Sequence, residues 1–481
     1  MEERLSRLKK ALEDDYLPKA RWWPWKNTKR DISIISFHEL DSLVFLKFKA
    51  DNQKFQLPLM KADETVSILK ERAFCIGEEC FMEAEYHPEY LSLISKLPWT
   101  EIEIVSEPPG RIVSAKPITL ESTNVVSLLT DDTGERYVLK SYRLLPETNL
   151  EALMMKALAL KKFENIPRVY LFIRHEEQVA GILMKYIEGV GDGGYPFYSH
   201  LTEYLKGSAR LLATVGLSAR LGTIIGNMHK ALNIGHTDRF YGLEEIGFND
   251  IENWIKRMHR YLNVVLTRLD EIVTAEESDS VEWMEKWRGL LDKNGLKIVE
   301  EASNCFSAYE GLDKGRIHQD LHLAQMIYVP TSHDFIITDF EGEPGRSPEE
   351  RIAKEPLMRD LATMVRSYHY LSHAAVMNVY GTSIDRASDV MLNNDPTLEW
   401  RFRNVTAMVN SYLASILNSE LTRKYRGLDP RKQMSLIYPW IVERCLYEAY
   451  YESMYRSEWV SIPIIGLFDP LLFSFKLAGH S

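Results

Sequence analysis

The sequence predicts an α+β fold in two lobes: a β-rich small lobe completed by an N-terminal cap, and a larger, mostly helical lobe. Three observations carry this. Residues 31–60 alternate short β-branched or aromatic runs with polar turns, residues 111–188 read strand, strand, helix, strand, strand, and from 201 onward apolar residues recur at helical spacing.

In chain order, the first residues alternate charge and leucine as an amphipathic helix does. Residues 31–36, 42–49 and 54–60 follow as strands of a small antiparallel sheet, with a turn at Asp51-Asn52. Helical patterns cover 62–71 and 87–96, and Ser106-Glu107-Pro108-Pro109-Gly110 then breaks the chain, which places a cap domain at 1–109. An intermediate domain at 110–188 holds a hairpin, 125–130 with 136–142, around Asp131-Asp132-Thr133-Gly134. A helix at 150–163 and strands at 169–174 and 180–187 complete it. Residues 189–481 form the helical lobe, with periodic stretches at 211–232, 251–269, 281–302, 357–370, 398–417 and 437–455.

The chemistry sits in His318-Gln319-Asp320-Leu321-His322-Leu323-Ala324-Gln325, followed by Phe335-Ile336-Ile337-Thr338-Asp339-Phe340-Glu341. Protein kinases carry a catalytic Asp in H-R-D-x-x-x-x-N, an Asn that holds one Mg²⁺, and a second metal-binding Asp in D-F-G after a strand. Here Asp320 stands as the base that accepts the hydroxyl proton, Gln325 supplies an amide oxygen where the Asn would be, and Asp339-Phe340 opens the second motif. Glu341 is a further oxygen donor in reach of metal or water. These are hard ligands suited to Mg²⁺. His318 and His322 form an i,i+4 pair with no third ligand nearby and no Glu beside the first, so they read as hydrogen-bonding groups rather than a zinc site. The whole reads as a bilobal, protein-kinase-like fold with ATP and Mg²⁺ as cofactors.

Lys140, in Tyr137-Val138-Leu139-Lys140, matches the strand lysine that grips nucleotide phosphates, and Glu151 near the start of the next helix is its natural partner. Adenine would bond to backbone near Lys185, Tyr186 and Ile187, and the polar stretch Glu121-Ser122-Thr123-Asn124 would cover the phosphates. Gly189-Val190-Gly191-Asp192-Gly193-Gly194 matches G-x-G-x-x-G, but Tyr195-Pro196-Phe197 follows instead of an apolar helix opening, so it reads as a flexible connection.

Composition sets outer bounds. A net charge of -11 argues against a nucleic-acid partner, which needs a basic footprint. The apolar run at 459–475 is interrupted by Pro463, Asp469 and Pro470, which disfavours a membrane span. Cys75, Cys80, Cys305 and Cys445 are too few for a disulfide framework and read as thiols of a cytoplasmic protein.

The loop 318–325, Thr338-Asp339-Phe340-Glu341-Gly342-Glu343-Pro344, Glu350-Arg351, Arg359-Asp360-Leu361-Ala362, Tyr447-Glu448, Tyr451-Glu452, Arg456, residues 459–463 and Ala20-Arg21-Trp22 together resemble the maltokinases, relatives of the aminoglycoside phosphotransferases. That resemblance implies transfer of the γ-phosphate of ATP to the anomeric hydroxyl of maltose, giving maltose 1-phosphate for α-glucan synthesis, often from trehalose. It implies a sugar site drawn from His318, Arg444, Tyr447, Glu448, Tyr451, Glu452 and Arg456, in a monomer or homodimer. Arg444 stands where maltokinases carry Lys, and a planar fork is not equivalent to an ammonium. Tyr447, Tyr451 and Tyr455 share one helical line and Glu448, Glu452 and Arg456 the next, so aromatic faces can cover a sugar while charged groups bond its hydroxyls. A kinase for glucosamine or another monosaccharide on the same scaffold is the near alternative, and a non-catalytic ATP-binding pseudokinase the remote one.

Overall fold

The computed structural model of the chain describes residues 2–26, 28–61, 74–76, 78–119, 123–275, 280–424 and 429–478. It divides into two compact units, residues 1–160 with 166–187, and residues 161–165 with 188–481.

In the first unit, α1 (Glu2–Ala11) leads to an antiparallel sheet of β1 (Ser33–Leu40), β2 (Leu43–Ala50), β3 (Gln53–Lys61), β4 (Phe74–Ile76) and β5 (Glu79–Glu83), ordered β1-β2-β3-β5-β4. Asp41 and Asp51 adopt positive φ in the two tight turns, which short polar side chains tolerate. The helix expected at 62–71 lies outside the described residues. Cys75 and Cys80 are not thiols: they face each other in the β4–β5 register and are joined as a disulfide. Cys305 and Cys445 are free.

After α2 (Tyr90–Ile94) comes a second, six-stranded sheet. It comprises β6 (Thr100–Ile104), β7 (Ile112–Thr119), β8 (Val125–Asp131), β9 (Arg136–Ser141), β10 (Val169–His175) and β11 (Gln178–Lys185), ordered β6-β10-β11-β9-β8-β7, with α3 (Leu150–Leu160) between β9 and β10. One hydrophobic core, from Trp22, Trp23, Phe45 and Phe55 to Leu139, Leu171 and Leu183, is shared by both sheets. A polar seam locks them in place. Gln56 donates to the carbonyls of Tyr142 (2.8 Å) and Ala180 (2.7 Å), and its carbonyl meets His175 (3.0 Å), a ring that burial and nearby Lys47 push down to about 3. Arg143 clamps Glu85 at 2.9 Å with neither side chain exposed to any extent.

The second unit is helical: α4 (Tyr195–Leu205), α5 (Val215–Asn233), α6 (Phe248–Ala275), α7 (Ser280–Cys305), α8 (Pro348–Ile352), α9 (Met358–Tyr380), α10 (Ile384–Asn394), α11 (Leu398–Ile416), α12 (Pro430–Ser435), α13 (Tyr438–Tyr455), α14 (Ser461–Gly466) and α15 (Pro470–Ala478). Two small β elements interrupt it, the short pair β12 (Glu244–Glu245) with β13 (Asp313–Lys314), and the hairpin β14 (Met326–Val329) with β15 (Asp334–Ile337). Glycines on α5 allow close helix packing: a Cβ at Gly222 would strike the Met408 carbonyl of α11. The apolar span Ser457–Leu477 is long enough to cross a membrane by composition, yet it runs as separate short helices and is 67% buried.

The glycine-rich segment 189–194 is not a loose tether. Val190 donates to the Tyr328 carbonyl (3.0 Å), Gly193 to the carbonyls of Leu323 (3.0 Å) and Met326 (2.8 Å), and Asp192 pairs with Ile327 as an isolated bridge. Its glycines serve close backbone approach: a Cβ at Gly193 would lie 2.8 Å from the Leu323 carbonyl oxygen and 2.9 Å from Met326 Cβ. Gly193→Ala is therefore expected to destabilise the fold by about 1–3 kcal/mol, the usual range for overpacking, read as a fall in the urea midpoint at unchanged slope.

Candidate active site

The loop 318–325 is held from below by one carboxylate. Asp360, near the start of α9 and fully buried, accepts from the backbone amides of His318 (2.8 Å) and Gln319 (2.9 Å) and from His229 of α5 (3.1 Å). Gln319 takes φ +71, and its side-chain amide donates to the carbonyls of Arg351 (2.6 Å) and Ala353 (2.9 Å). A bulky residue in the left-handed region is strained, and the three bonds of Gln319, one from its backbone amide and two from its side chain, impose the conformation. His318 packs its ring on Phe340 and meets the Thr338 carbonyl at 3.0 Å, which ties the loop to the segment after β15.

The β14–β15 register pairs Met326 with Ile337, and Thr338 donates to the Gln325 carbonyl at 2.9 Å from its amide and 3.1 Å from its hydroxyl. Gln325 and Asp339 therefore sit at the open end of one hairpin. Asp339 has φ +64, and a carboxylate oxygen of Asp339 lies within 4.8 Å of one of Glu341. Carboxylate oxygens are donors that Mg²⁺ takes, so Asp339 and Glu341 fit such an ion. In the first unit, Lys140 forms an ion pair with Glu151 at 2.8 Å, and Tyr142 donates to the same carboxylate at 2.7 Å.

Asp320 is 8% exposed and accepts from Arg444 at 3.0 Å through Oδ1, while Oδ2 lies 3.7 Å from His322. Burial pushes the Asp320 carboxyl up, but the Arg444 guanidinium and the His322 ring outweigh it and hold the group far below the usual carboxylate range. Arg444 also reaches Glu343 (2.5 Å) and Glu448 (2.9 Å). Burial would lower it, yet Asp320 and then Glu448 leave it raised and permanently charged.

Asp320 and Arg444 open onto a cavity of about 880 Å³. From the predicted sugar set, Arg444, Tyr447, Glu448, Tyr451, Glu452 and Arg456 all line it, and His318 does not. His318 is 1% exposed, with its ring committed to Phe340 and Thr338, so the structure gives it a place in the loop's support instead of on a substrate. Glu452 accepts from Tyr370 (3.2 Å) and Arg456 (2.8 Å); burial raises its carboxyl above the usual range, with Arg456 pulling the other way. Tyr455 continues the tyrosine line but is 68% exposed and outside the lining.

Several wall residues escaped the sequence reading: Tyr195, Tyr198, Tyr370, Ser367 and Asp192. Tyr195 and Tyr198 had a readable signal, an i,i+3 pair just after the glycine run. Among the nucleotide-side residues, Ser122 lies outside the described residues. The amides of Lys185 and Tyr186 are bonded to the carbonyls of Arg168 (2.8 Å) and Arg136 (3.1 Å), so Ile187 is the one of the three whose amide enters neither bond.

No protein-family model matches this chain. A curated glucosamine kinase of Streptacidiphilus jiangxiensis is 22% identical over 319 residues; the match covers 66% of this chain and spans 64% of that protein's length. Among solved structures, a glucosamine kinase in complex with glucosamine, ADP and inorganic phosphate aligns with TM-score 0.66 at 16% identity, covering 96% of this chain and 98% of the other. Crystal form B of a glucosamine kinase gives TM-score 0.66 at 17% identity over 96% and 99%. The chain thus has the kinase-like α+β fold of those proteins.

Linkage gives a test of the Asp320 environment. A carboxyl held below its unfolded value of about 3.9 contributes stability that is present above that pH and lost as the pH falls toward the folded value. Asp320→Asn is expected to lose Tm less steeply than wild type between about pH 5 and pH 3, measured by scanning calorimetry.

Proposed function

We propose that this protein is an ATP-dependent sugar kinase whose acceptor is an amino sugar of the glucosamine type. The observation that carries the reading is the ionised, arginine-clamped Asp320 at the wall of a cavity rich in carboxylates and tyrosines. Four carboxylates, Asp192, Asp320, Glu448 and Glu452, line it beside the guanidinium groups of Arg444 and Arg456, and their acceptor oxygens suit a sugar carrying an ammonium. The likeness to glucosamine kinases supports the same choice.

Asp320 accepts a hydrogen bond from the acceptor hydroxyl, aims its oxygen at the γ-phosphorus of ATP and takes the proton as the new P–O bond forms and the bond to ADP breaks. In a loose transition state the proton leaves late, so an aligned and fully ionised carboxylate is enough even though its proton affinity is low. Arg444 fixes Oδ1 of that carboxylate and leaves Oδ2 outside the bond. Gln325, Asp339 and Glu341 would hold Mg²⁺, which supplies charge neutralisation on the phosphates. Lys140, oriented by Glu151, would grip the nucleotide phosphates, with adenine at the backbone near Ile187. Glu448 and Glu452 would receive the ammonium.

A second reading, maltose as acceptor, is favoured by one specific feature. Tyr447 and Tyr451, with ring centroids 6.5 Å apart, share the cavity wall with Trp459, which offers aromatic surface beyond a single sugar ring.

ADP release measured with glucosamine, N-acetylglucosamine, glucose and maltose separates these readings. Glucosamine should turn over, and N-acetylglucosamine, which lacks the ammonium, should be rejected by about 10²-fold or more in kcat/KM. Turnover of maltose alone would replace the first reading with the second, and no ADP release above the ATP blank would remove both. Asp320→Asn should lower kcat by about 10²–10⁴ while Mg-ATP binding persists, checked by calorimetric titration of the nucleotide.

A further inference from the structure

Glu448 gives one oxygen to each of two arginines, Oε1 to Arg444 Nε at 2.9 Å and Oε2 to Arg366 Nε at 2.8 Å. Arg444 belongs to the cavity wall. Arg366, on α9, does not: it is 2% exposed and reaches the cavity through other residues alone. Its Nη1 donates to His369 Nδ1 at 2.6 Å and Nη2 to the Ile462 carbonyl at 3.5 Å, so its guanidinium is fixed from three directions. Accepting at Nδ1 requires a neutral ring, and burial together with the Arg366 charge holds His369 well below its ordinary value.

Two further contacts complete the setting. The guanidinium lies over the Tyr370 ring, 5.4 Å from its centroid, and Tyr370 in turn donates to Glu452, the other inner carboxylate of the cavity. Gly466, the last residue of α14, borders the same guanidinium, where a Cβ would lie 2.7 Å from Arg366 Cζ.

We propose that Arg366 is a positioning residue for the acceptor sugar: it holds Glu448 in the orientation that faces the cavity and braces Glu452 through Tyr370, and Gly466 lacks a side chain so that the guanidinium can occupy its slot. This rests on the kinase reading above, because the acceptor is what Glu448 and Glu452 face. Arg366 touches neither nucleotide nor reacting atoms, so its loss acts on acceptor affinity first.

Steady-state kinetics with glucosamine and Mg-ATP test this in Arg366→Gln, Arg366→Lys, Glu448→Gln, the Arg366→Gln/Glu448→Gln double variant and Gly466→Ala. Loss of a bond to a charged group predicts a rise of roughly 10–100-fold in acceptor KM for Arg366→Gln, with kcat within about threefold and the KM for ATP unchanged. Arg366→Lys should recover part of the loss, and Gly466→Ala, which displaces the guanidinium without removing it, should reproduce it in milder form. The double variant should lose less than the product of the two single losses, since Arg366 acts in part through Glu448. An unmoved acceptor KM in folded Arg366→Gln, or additive losses in the double variant, would overturn the proposal. If circular dichroism shows that Arg366→Gln does not fold, unchanged acceptor KM in both Arg366→Lys and Gly466→Ala overturns it equally. A wild-type protein without amino-sugar turnover sinks the functional reading itself, whereas wild-type turnover with an unmoved KM sinks the placement of Arg366 alone.

Discussion

A buried guanidinium, that of Arg444, is the constraint on which the rest of the second unit depends. A charge removed from water costs several kcal/mol unless it is paired and hydrogen-bonded, and Arg444 is paired three ways, to Asp320, Glu343 and Glu448. From it a continuous ionic network spreads. Glu343 is shared with Arg346 and Arg359, Glu443 joins Arg346 to Arg257, Arg257 reaches Glu355, and Glu448 reaches Arg366. Asp320, Glu343, Glu355, Glu443 and Glu448 balance Arg257, Arg346, Arg359, Arg366 and Arg444, so the network is neutral although each member is buried. Burial would raise the Glu443 carboxyl, and Arg346, Arg257 and Arg359 together bring it well below the usual range. Such a network adds little stability over a well-packed apolar core, but removing one partner strands another charge. Its effect is to leave Asp320 a single favourable position.

Two helices divide the work of building that position. The α9 helix supplies Asp360 under the loop 318–325, Arg359 to the network, Ser367, which accepts from the Leu323 amide at 2.9 Å, and Arg366 behind Glu448. The α13 helix turns Glu443 into the network and Arg444, Tyr447 and Glu448 toward the cavity. Spacing along α13 thus converts i,i+4 repeats into one wall, with Arg444, Glu448 and Glu452 on one line and Tyr447 and Tyr451 on its neighbour.

Much of this was legible where local pattern decides the outcome. Period-two runs gave β1 to β3 and β8 to β11, helical repeats gave the long helices of the second unit, and the strand-then-helix order pointed to the Lys140–Glu151 pair. The strands β4 to β7 were missed for identifiable reasons. The first two are three and five residues long, β6 alternates within Thr-Glu-Ile-Glu-Ile beside a proline-rich break, and β7 carries Pro117 on a sheet edge, where a missing amide is tolerated. Long-range partners left no trace in spacing. Nothing near Arg366 in sequence indicates that its partner is Glu448, and Cys75 and Cys80 read as thiols until β4 and β5 place them face to face. The glycine run at 189–194, read as a flexible connection, is bonded in place for a physical reason: glycine permits close approach to a protein backbone, and here it packs on β14.

The most direct test of the account is a crystal structure with glucosamine and a non-hydrolysable ATP analogue bound together. The account predicts one sugar hydroxyl within about 2.6–3.2 Å of the Asp320 carboxylate, facing the γ-phosphate, with the ammonium against Glu448 and Glu452. A sugar bound away from Asp320, or one whose ammonium pairs with Asp320 and turns every hydroxyl from the phosphate, would contradict it.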